Sequence, residues 1–353
     1  MQQQNRQCIL LLNLLLLLHQ FFQTKAHVPA IIVFGDSSVD AGNNNYIHTI
    51  AKSNFEPYGR DFYGGQPTGR FCNGRLATDF ISEAFKLPPV IPAFLDDQYT
   101  IEHFSLGVCF ASAATGFDNA TANILSVIPL SQQLEYYKQY QEMLRSFQGE
   151  AKASETIREA LYVISLGTND FIENYYAVIR SSRSKQFTTD EYVDFIVGIA
   201  DNFVRDIYRL GARKIEVAGI SPFGCLPQER VTNQDNVGEC KEDYNIVAQN
   251  FNLKLSIMVD KLNKELFGVK VVFAGLYDLF LDVVRNPKAY GFENSLMGCC
   301  GTGLFEEGIL CNHKTLTCPD ASKYVFWDAV HPTERMYQII ADYTVRTALS
   351  VFL

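Results

Sequence analysis

Short apolar runs recur along the chain, rich in β-branched and aromatic residues and closed by glycine or a polar turn residue. Runs of this kind are typical of interior strands in a parallel sheet. The segments between them are longer and polar on one side, which predicts helices. Strands alternating with helices predict a three-layer α/β/α fold around a parallel sheet of about five strands. The predicted strands cover residues 31–34, 104–110, 160–166, 214–218 and 269–274.

Four segments are predicted to be helices. One of them is amphipathic, because Leu134, Tyr137 and Leu144 recur among glutamines and charged residues. Another begins at a Thr/Asp cap and stops at Gly211, which supplies both helix boundary signals. The predicted helices cover residues 78–85, 131–147, 189–210 and 241–266.

The first apolar run ends in Gly35-Asp36-Ser37-Ser38. Because α/β proteins place ligands at the carboxyl ends of parallel strands, Ser37 is a candidate functional residue. Turn chemistry by itself favours a turn or helix-cap role for a serine in this position. A second signal is therefore needed to separate the two interpretations.

That signal lies near the other end of the chain, where Asp328 and His331 are three residues apart just before a predicted helix. A serine hydroxyl becomes a good nucleophile when a base takes its proton, and His331 is the candidate base. Pro332 suits the first position of a helix, which predicts His331 at or just outside the helix amino terminus. The positive end of the helix dipole would then keep the imidazole neutral. The alternative role for Asp328 is a helix cap.

The motifs around these residues resemble the GDSL (SGNH) esterase/lipase family. The resemblance runs from about residue 30 to about residue 345, through ordered blocks at family-like spacing. Two further segments, 67–71 and 222–227, resemble the plant branch of the family. The blocks that carry the resemblance are Gly35-Asp36-Ser37-Ser38-Val39-Asp40-Ala41-Gly42-Asn43, Gly167-Thr168-Asn169-Asp170 and Asp328-Ala329-Val330-His331-Pro332.

The resemblance implies a flavodoxin-like α/β/α fold and a serine esterase mechanism. It assigns Ser37 as nucleophile, His331 as base and Asp328 as the residue that orients the base. It assigns the oxyanion hole to the Ser37 N–H, the Gly116 N–H and the Asn169 side chain. The family usually has another glycine near position 114, which is alanine here. The GxSxG elbow is absent around Ser37, which argues against the α/β-hydrolase fold.

Two function classes follow. The first is a secreted serine esterase or lipase that hydrolyses lipid acyl esters or acetyl esters, with acyl transfer to another acceptor as a variant. Its substrate would be a small-molecule or lipid ester, or an acetylated polysaccharide. The second is a cell-wall or carbohydrate-binding protein on the same fold with little catalysis. We expect a monomer that needs no cofactor.

The amino terminus is typical of a secretory signal peptide. Arg6 precedes an apolar run at residues 8–18, and Ala26 ends the polar stretch that follows. The run is shorter than the roughly 20 apolar residues of a membrane span, although a retained signal anchor is the alternative. We therefore expect a leader at residues 1–26 and a single domain at 27–353 without a transmembrane segment. The expected location is extracellular, in the cell wall or apoplast if the source is a plant.

Charge and cysteine content bear on the partners, disulfides and metal sites to expect. The net charge is −9 and the basic residues form no stripe, which argues against nucleic acid as a partner. Eight cysteines remain after Cys8 of the leader, and an even number in an exported chain predicts disulfides. Their spacing lacks a zinc-binding pattern, so we expect no metal site.

The cysteines predict two stapled regions. Cys225 and Cys240 flank a polar loop that one bridge would close, and the four cysteines of residues 297–319 would staple the loop that leads to Asp328. Cys72 and Cys109 stand where the family more often has Ser and Asn, so they are either paired or buried as free thiols.

Two other segments carry predictions. Asn119-Ala120-Thr121 is an acceptor triplet for N-glycosylation. Residues 54–75 are rich in glycine, proline and aromatic residues, which predicts a long ordered excursion over the sheet edge that shapes the pocket.

Overall fold

The main sheet of the computed structural model has five parallel strands in the order β2-β1-β3-β4-β5. The structure describes residues 28–177, 183–234 and 236–353, so the predicted leader lies outside the described residues. The sheet confirms the predicted parallel architecture. Its strands are β1 (Ile31–Gly35), β2 (Gly107–Cys109), β3 (Leu161–Ser165), β4 (Lys214–Ala218) and β5 (Lys270–Ala274).

A second sheet was not predicted. It has two parallel strands, β6 (Asn294–Gly298) and β7 (Tyr324–Phe326), which flank the cysteine-rich loop. β7 has only three residues, too few to show the alternation of a strand in the sequence. β6 ends at Gly298 beside two cysteines, a composition that is more typical of a turn than of a strand. This sheet leads directly to Asp328.

Helices cover both faces of the main sheet and complete the three layers. On one face, the ring of Phe34 contacts Tyr137 at 5.6 Å and Phe203 at 5.1 Å between centroids. On the other face, α1, α9 and α10 enclose a cavity against β3 and β4. The helices are α1 (Ala77–Ala84), α2 (Ile101–Phe104), α3 (Asn119–Leu125), α4 (Leu130–Gln148), α5 (Glu150–Glu159), α6 (Thr189–Arg209), α7 (Pro227–Val231), α8 (Glu242–Glu265), α9 (Tyr277–Arg285) and α10 (Glu334–Thr347).

The prediction of a strand at residues 104–110 is wrong at its amino-terminal half. Residues Ile101–Phe104 form one helical turn, and β2 begins only at Gly107. The turn is closed by Thr100, whose backbone N–H donates to His103 Nδ1 at 3.1 Å. This local cap outweighs the β preference of the apolar side chains.

The cysteines form three disulfides and two free thiols. Cys225 bonds to Cys240 as predicted, and the cysteine-rich loop is closed by Cys299–Cys318 and Cys300–Cys311. Cys72 and Cys109 are buried free thiols. In the described ranges, we find no helix with the length and apolar character needed to cross a membrane.

Candidate active site

Ser37 lies two residues beyond the end of β1, a central strand of the sheet. The tight turn needs Gly35, because a Cβ at that position would lie 2.6 Å from the carbonyl oxygen of Ser165. The turn is closed by Asp36, whose Oδ1 accepts the N–H of Ser38 at 2.9 Å. β1 therefore ends abruptly and leaves Ser37 half-buried at the carboxyl edge of the sheet.

His331 and Asp328 form a buried pair. His331 Nδ1 lies 2.8 Å from Asp328 Oδ2, and the other carboxylate oxygen accepts the N–H groups of Val330 at 2.9 Å and His331 at 2.7 Å. Since the carboxylate accepts these bonds, Nδ1 carries the proton and donates it to Asp328. Asp328 therefore closes its own turn and orients the imidazole, and it does not cap the following helix.

The prediction that Pro332 takes the first helical position is wrong, whereas His331 lies just outside the helix amino terminus as predicted. Helix α10 begins at Glu334, three residues after His331. Thr333 is the N-cap because its side chain accepts the N–H of Met336 at 3.4 Å and donates to the carbonyl of Tyr324 at 2.8 Å. This anchor to β7 holds Pro332 outside the helix.

Two opposing effects act on the pKa of His331. Burial by itself lowers the pKa of His331, but the carboxylates of Asp328, Glu307 and Asp36 outweigh that effect and leave the pKa above its usual value. In the described part of the chain, Nε2 is buried without a hydrogen-bond partner. His331 and Ser37 line the same cavity.

The excursion at residues 54–75 contributes two contacts that the sequence did not reveal. Tyr58 Oη donates to Asp328 Oδ2 at 2.7 Å, and the ring of Phe71 lies 4.9 Å from the ring of His331. Both aromatic side chains are buried. The excursion therefore supports the acid and the base, in addition to the pocket-shaping role predicted for it. A phenol and a phenyl ring within an aromatic-rich loop carry no sequence signal for such contacts.

Asn169 follows β3, the strand beside β1. Its Nδ2 donates to the carbonyl of Thr115 at 2.9 Å, so its amide lies at the turn after β2. Asp170 holds the same turn, because its carboxylate accepts the N–H groups of Phe117 at 2.8 Å and Asp118 at 3.1 Å. The strand order β2-β1-β3 thus brings together the three loops that carry the predicted oxyanion residues.

A second carboxylate joins the loop after β1 to the loop after β2. Asp40 accepts the N–H groups of Gly42 and Asn43 at 2.8 Å and that of Ala113 at 3.0 Å. Burial raises the pKa of Asp40 to about 6, and these donors partly oppose the shift. The sequence showed only a Gly/Asn turn cluster here, because the bond to Ala113 crosses between strands.

Gly116 and Ala114 occupy different surroundings within this turn. A Cβ at Gly116 would lie 2.1 Å from Asp170 Oδ1, so the glycine is required for close approach of the carboxylate. Ala114 has φ = 65° and lines a pocket together with Ser37 and Asn169. Ser37 lines two pockets, and the described residues that line them do not include Gly116.

Ser37 and Asn169 stand between two pockets. A deep cavity of about 140 Å³ extends from them under the sheet, with mostly apolar walls. A second pocket of about 150 Å³ is lined by Phe71, Ala114 and Ile309 among others. An ester held at Ser37 would thus have separate space for its acyl and alcohol parts.

Metal-ligating side chains do not cluster at this site. Among the residues that the structure describes, no group of three or more His, Cys, Asp or Glu is arranged to hold a metal ion.

Comparisons with known proteins converge on one family. The model of the GDSL-like Lipase/Acylhydrolase family matches residues 31–344. GDSL esterase/lipase At2g42990 of Arabidopsis thaliana is 56% identical over 328 residues, which are 93% of each chain. GDSL esterase/lipase At4g26790 of the same plant is 53% identical over 351 residues, which are 99% of each chain. Among solved structures, BT4096, a gut microbial diltiazem-metabolizing enzyme, is similar over 91% of this chain and 46% of that one. The two are 10% identical with a TM-score of 0.38, which is too low to support an inference.

Proposed function

We propose that catalysis proceeds through an acyl-enzyme formed on Ser37. The chain belongs to the plant-type GDSL-like lipase/acylhydrolase family and is a carboxylic ester hydrolase. The observation that supports the acyl-enzyme most strongly is the orientation of His331. Nδ1 is fixed on Asp328 while Nε2 stays unbonded beside the cavity that Ser37 lines. This is the arrangement of a general base that waits for a serine proton.

In the proposed first half-reaction, Ser37 Oγ attacks the ester carbonyl carbon as His331 Nε2 takes the hydroxyl proton. The carbonyl oxygen becomes a tetrahedral oxyanion. When the C–O bond to the alcohol breaks, the imidazolium returns its proton to the leaving alcohol. In the second half, water attacks the acyl-enzyme with the same proton transfers and releases the carboxylic acid. Asp328 stabilises the imidazolium in both halves.

The oxyanion donors in this proposal are the Ser37 N–H, the Asn169 amide and a backbone N–H of the turn after β2. In the described turn, bonds to Asp40 and Ser112 consume the N–H groups of Ala113 and Thr115. Ala114 and Gly116 remain as donors. Gly116 is the position implied by the family resemblance, and Ala114 is the stronger candidate because it lines the pocket with Ser37.

The substrate class follows from the deep cavity. Its walls include Val163, Leu166 and Phe280, which favour an acyl chain over a bare acetyl group. We therefore propose esters of medium-length acyl groups as preferred substrates. A rate series on p-nitrophenyl esters of increasing acyl length tests this, and a maximum at acetate would contradict it.

A fluorophosphonate probe tests the nucleophile. It should label Ser37 in wild-type protein and leave the Ser37→Ala and His331→Ala variants unlabelled. The neighbouring Ser38→Ala variant is the matched control and should still be labelled at Ser37. Labelling of another serine, or wild-type ester hydrolysis by Ser37→Ala, would show that the site is assigned wrongly.

Secretion is part of the proposal, with residues 1–26 removed and residues 27–353 as one domain in the cell wall or apoplast. Three disulfides support an oxidising compartment. Asn119 is exposed at the start of α3, as a glycosylation acceptor requires, although Thr121 of the triplet also has a structural role because its hydroxyl donates to Asp170. Amino-terminal sequencing of exported protein tests the leader, and an intact Met1 on that protein would contradict it.

A further inference from the structure

The middle of β4 carries a buried acid that the proposed mechanism does not use. Glu216 is 2% exposed, and its register partners on the neighbouring strands are Val163 and Val272. It lines the same deep cavity as Ser37 and His331. Its Oε2 atom has no hydrogen-bond partner among the described residues. A carboxyl group at such a position is costly unless it has a polar partner.

The state of this carboxyl group determines what it can bind. Burial raises the pKa of Glu216 to about 8, so near neutral pH it is held mainly as the uncharged acid. An uncharged carboxylic acid offers one O–H donor and also accepts hydrogen bonds. A hydroxyl group has the same two capacities and is its natural partner.

The strand register gives the distance from the reaction centre. Gly35 pairs with Ser165 at the end of β1 and β3, and the side chain of Ser165 bonds to that of Ser38 at 2.9 Å. Glu216 pairs with Val163, two residues before Ser165. Two residues along a strand and one strand across amount to about 8 Å between the Cα atoms of Ser165 and Glu216. An extended acyl chain of medium length spans that distance.

The rest of the cavity does not satisfy the acid. Its walls are largely apolar and include Leu226, Leu276 and Ile340. A second buried polar atom, Tyr337 Oη, also lines this cavity and lacks a partner in the described chain. An apolar cavity that opens at the nucleophile and contains unpaired donors and acceptors is suited to a chain that carries a polar group of its own.

We propose that Glu216 is the polar end of the acyl-binding cavity and selects acyl groups that carry a hydroxyl group some way along a medium-length chain. This inference rests on the proposed function, because the acyl group must be attached at Ser37. It names a specificity determinant and a substrate class, hydroxyacyl esters, for the same site. A plain acyl chain of equal length leaves the acid unpaired and is the poorer substrate.

The kinetic test compares decanoyl esters that bear a hydroxyl group at successive carbons from the sixth to the tenth with the plain decanoyl ester. Wild-type protein should prefer at least one hydroxylated ester by about tenfold in kcat/KM, the effect of one well-placed hydrogen bond. Glu216→Met, which keeps the length of the side chain without its polarity, should reduce this ratio to about one. Glu216→Gln, which keeps a donor and an acceptor, should retain most of it.

The matched control uses the other unpaired tyrosine hydroxyl. Tyr140 Oη is buried without a partner in the described chain but does not line this cavity, so Tyr140→Phe should leave the hydroxyacyl preference as it is in wild type. Melting temperatures of all variants show whether each is folded. The inference is overturned if wild type prefers the plain ester at every position, or if Glu216→Met keeps the preference.

Binding separates this inference from the proposed mechanism. In Ser37→Ala protein, hydroxydecanoate should raise the melting temperature more than decanoate does, and this difference should disappear in the Ser37→Ala/Glu216→Met double variant. If the wild-type chain hydrolyses no ester but the difference persists, the mechanism is wrong and the binding site stands. If esters are hydrolysed and no difference appears, the role of Glu216 is wrong.

Discussion

Tyr58 Oη donates a 2.7 Å hydrogen bond to Asp328 Oδ2, and the two residues are 270 positions apart. The same phenol oxygen accepts the N–H of Gly308 at 2.8 Å. Burial, followed by the charge of Asp328, raises the pKa of Tyr58 well above its usual value, so the phenol stays a donor. One side chain therefore joins the excursion after β1, the disulfide-stapled loop and the acid that orients His331.

The Tyr58→Phe variant should therefore change catalysis as well as stability. Loss of a buried hydrogen bond to a charged acceptor should lower the free energy of unfolding by about 1.5–3 kcal/mol. Asp328 would lose a donor and attract the His331 proton more strongly, so the pKa of His331 should rise. In the proposed mechanism the His331 base must be neutral, so the rising limb of kcat/KM against pH should move to higher pH.

Denaturant titration and a pH profile of kcat/KM measure the two effects. Tyr63→Phe is the matched control, because Tyr63 lies in the same excursion but is 59% exposed. A lower stability with an unmoved pH limb would show that Tyr58 has only a structural role.

Asn169→Ala should reduce kcat by about 10²–10³ and leave KM nearly unchanged. In the proposed mechanism the hydrogen bond from the Asn169 amide strengthens only as charge develops on the substrate oxygen, so its loss affects the transition state more than the bound ester. Steady-state kinetics on one activated ester measure this. Asn250→Ala, at a half-buried position of α8 outside the site, serves as the control. A rise in KM with an unchanged kcat would instead assign Asn169 to ground-state binding.

Removal of the Cys299–Cys318 bridge should impair the site more than removal of Cys225–Cys240. The bridges close 19 and 15 residues, so each paired change to serine should cost about 3 kcal/mol of unfolding free energy. The first bridge supports the approach to Asp328 with its own backbone, since the N–H of Cys299 donates to the carbonyl of Phe326 at 3.0 Å. The loop closed by the second bridge contacts this segment through Gln228, whose N–H donates to the carbonyl of Ala329 at 3.2 Å. Activity measured well below both melting temperatures should fall further in Cys299→Ser/Cys318→Ser. Equal losses would contradict a supporting role.

Glu216 should make the folded protein less stable as pH rises. Its pKa is near 4.5 when unfolded and about 8 when folded, so between those values the folded state holds a proton that the unfolded state has lost. Stability from this group is therefore complete below pH 4.5 and is lost as pH rises towards 8. The raised pKa values of Asp40, Asp170 and Glu307 act in the same direction.

The Glu216→Gln variant isolates the contribution of Glu216 to the pH dependence of the free energy of unfolding. Between pH 5 and pH 8, the variant should lose less unfolding free energy than wild type, by on the order of 3 kcal/mol. Chemical denaturation at the two pH values measures the difference, and the contributions of the other acids cancel in the comparison. Identical losses in the two proteins would show that Glu216 does not titrate between the folded and unfolded states as described.

The sequence by itself determined the ends of four of the five strands of the main sheet and the residue types that follow them. β4 matches its predicted bounds, and β1, β3 and β5 lie within a residue of theirs, because a parallel strand buried on both faces is a continuous apolar run. Motif blocks with a fixed order identified Ser37, Asn169, Asp328 and His331 as candidates. The Cys225–Cys240 bridge followed from a polar loop between two cysteines.

Only the tertiary structure decided which groups surround those candidates. Tyr58 bonds to Asp328, Asp40 bonds to Ala113 and Glu216 lines the cavity. These placements bring together distant segments of the chain, and the periodicity of a sequence reports only local geometry. Glu216 is one acid in an otherwise strand-like run, and the run does not show that the acid is buried. Its burial follows from the packing of α1, α9 and α10 over that face of the sheet. The pKa of His331 was likewise decided by the balance of burial against nearby carboxylates, which depends on distances in space that spacing along the chain does not give.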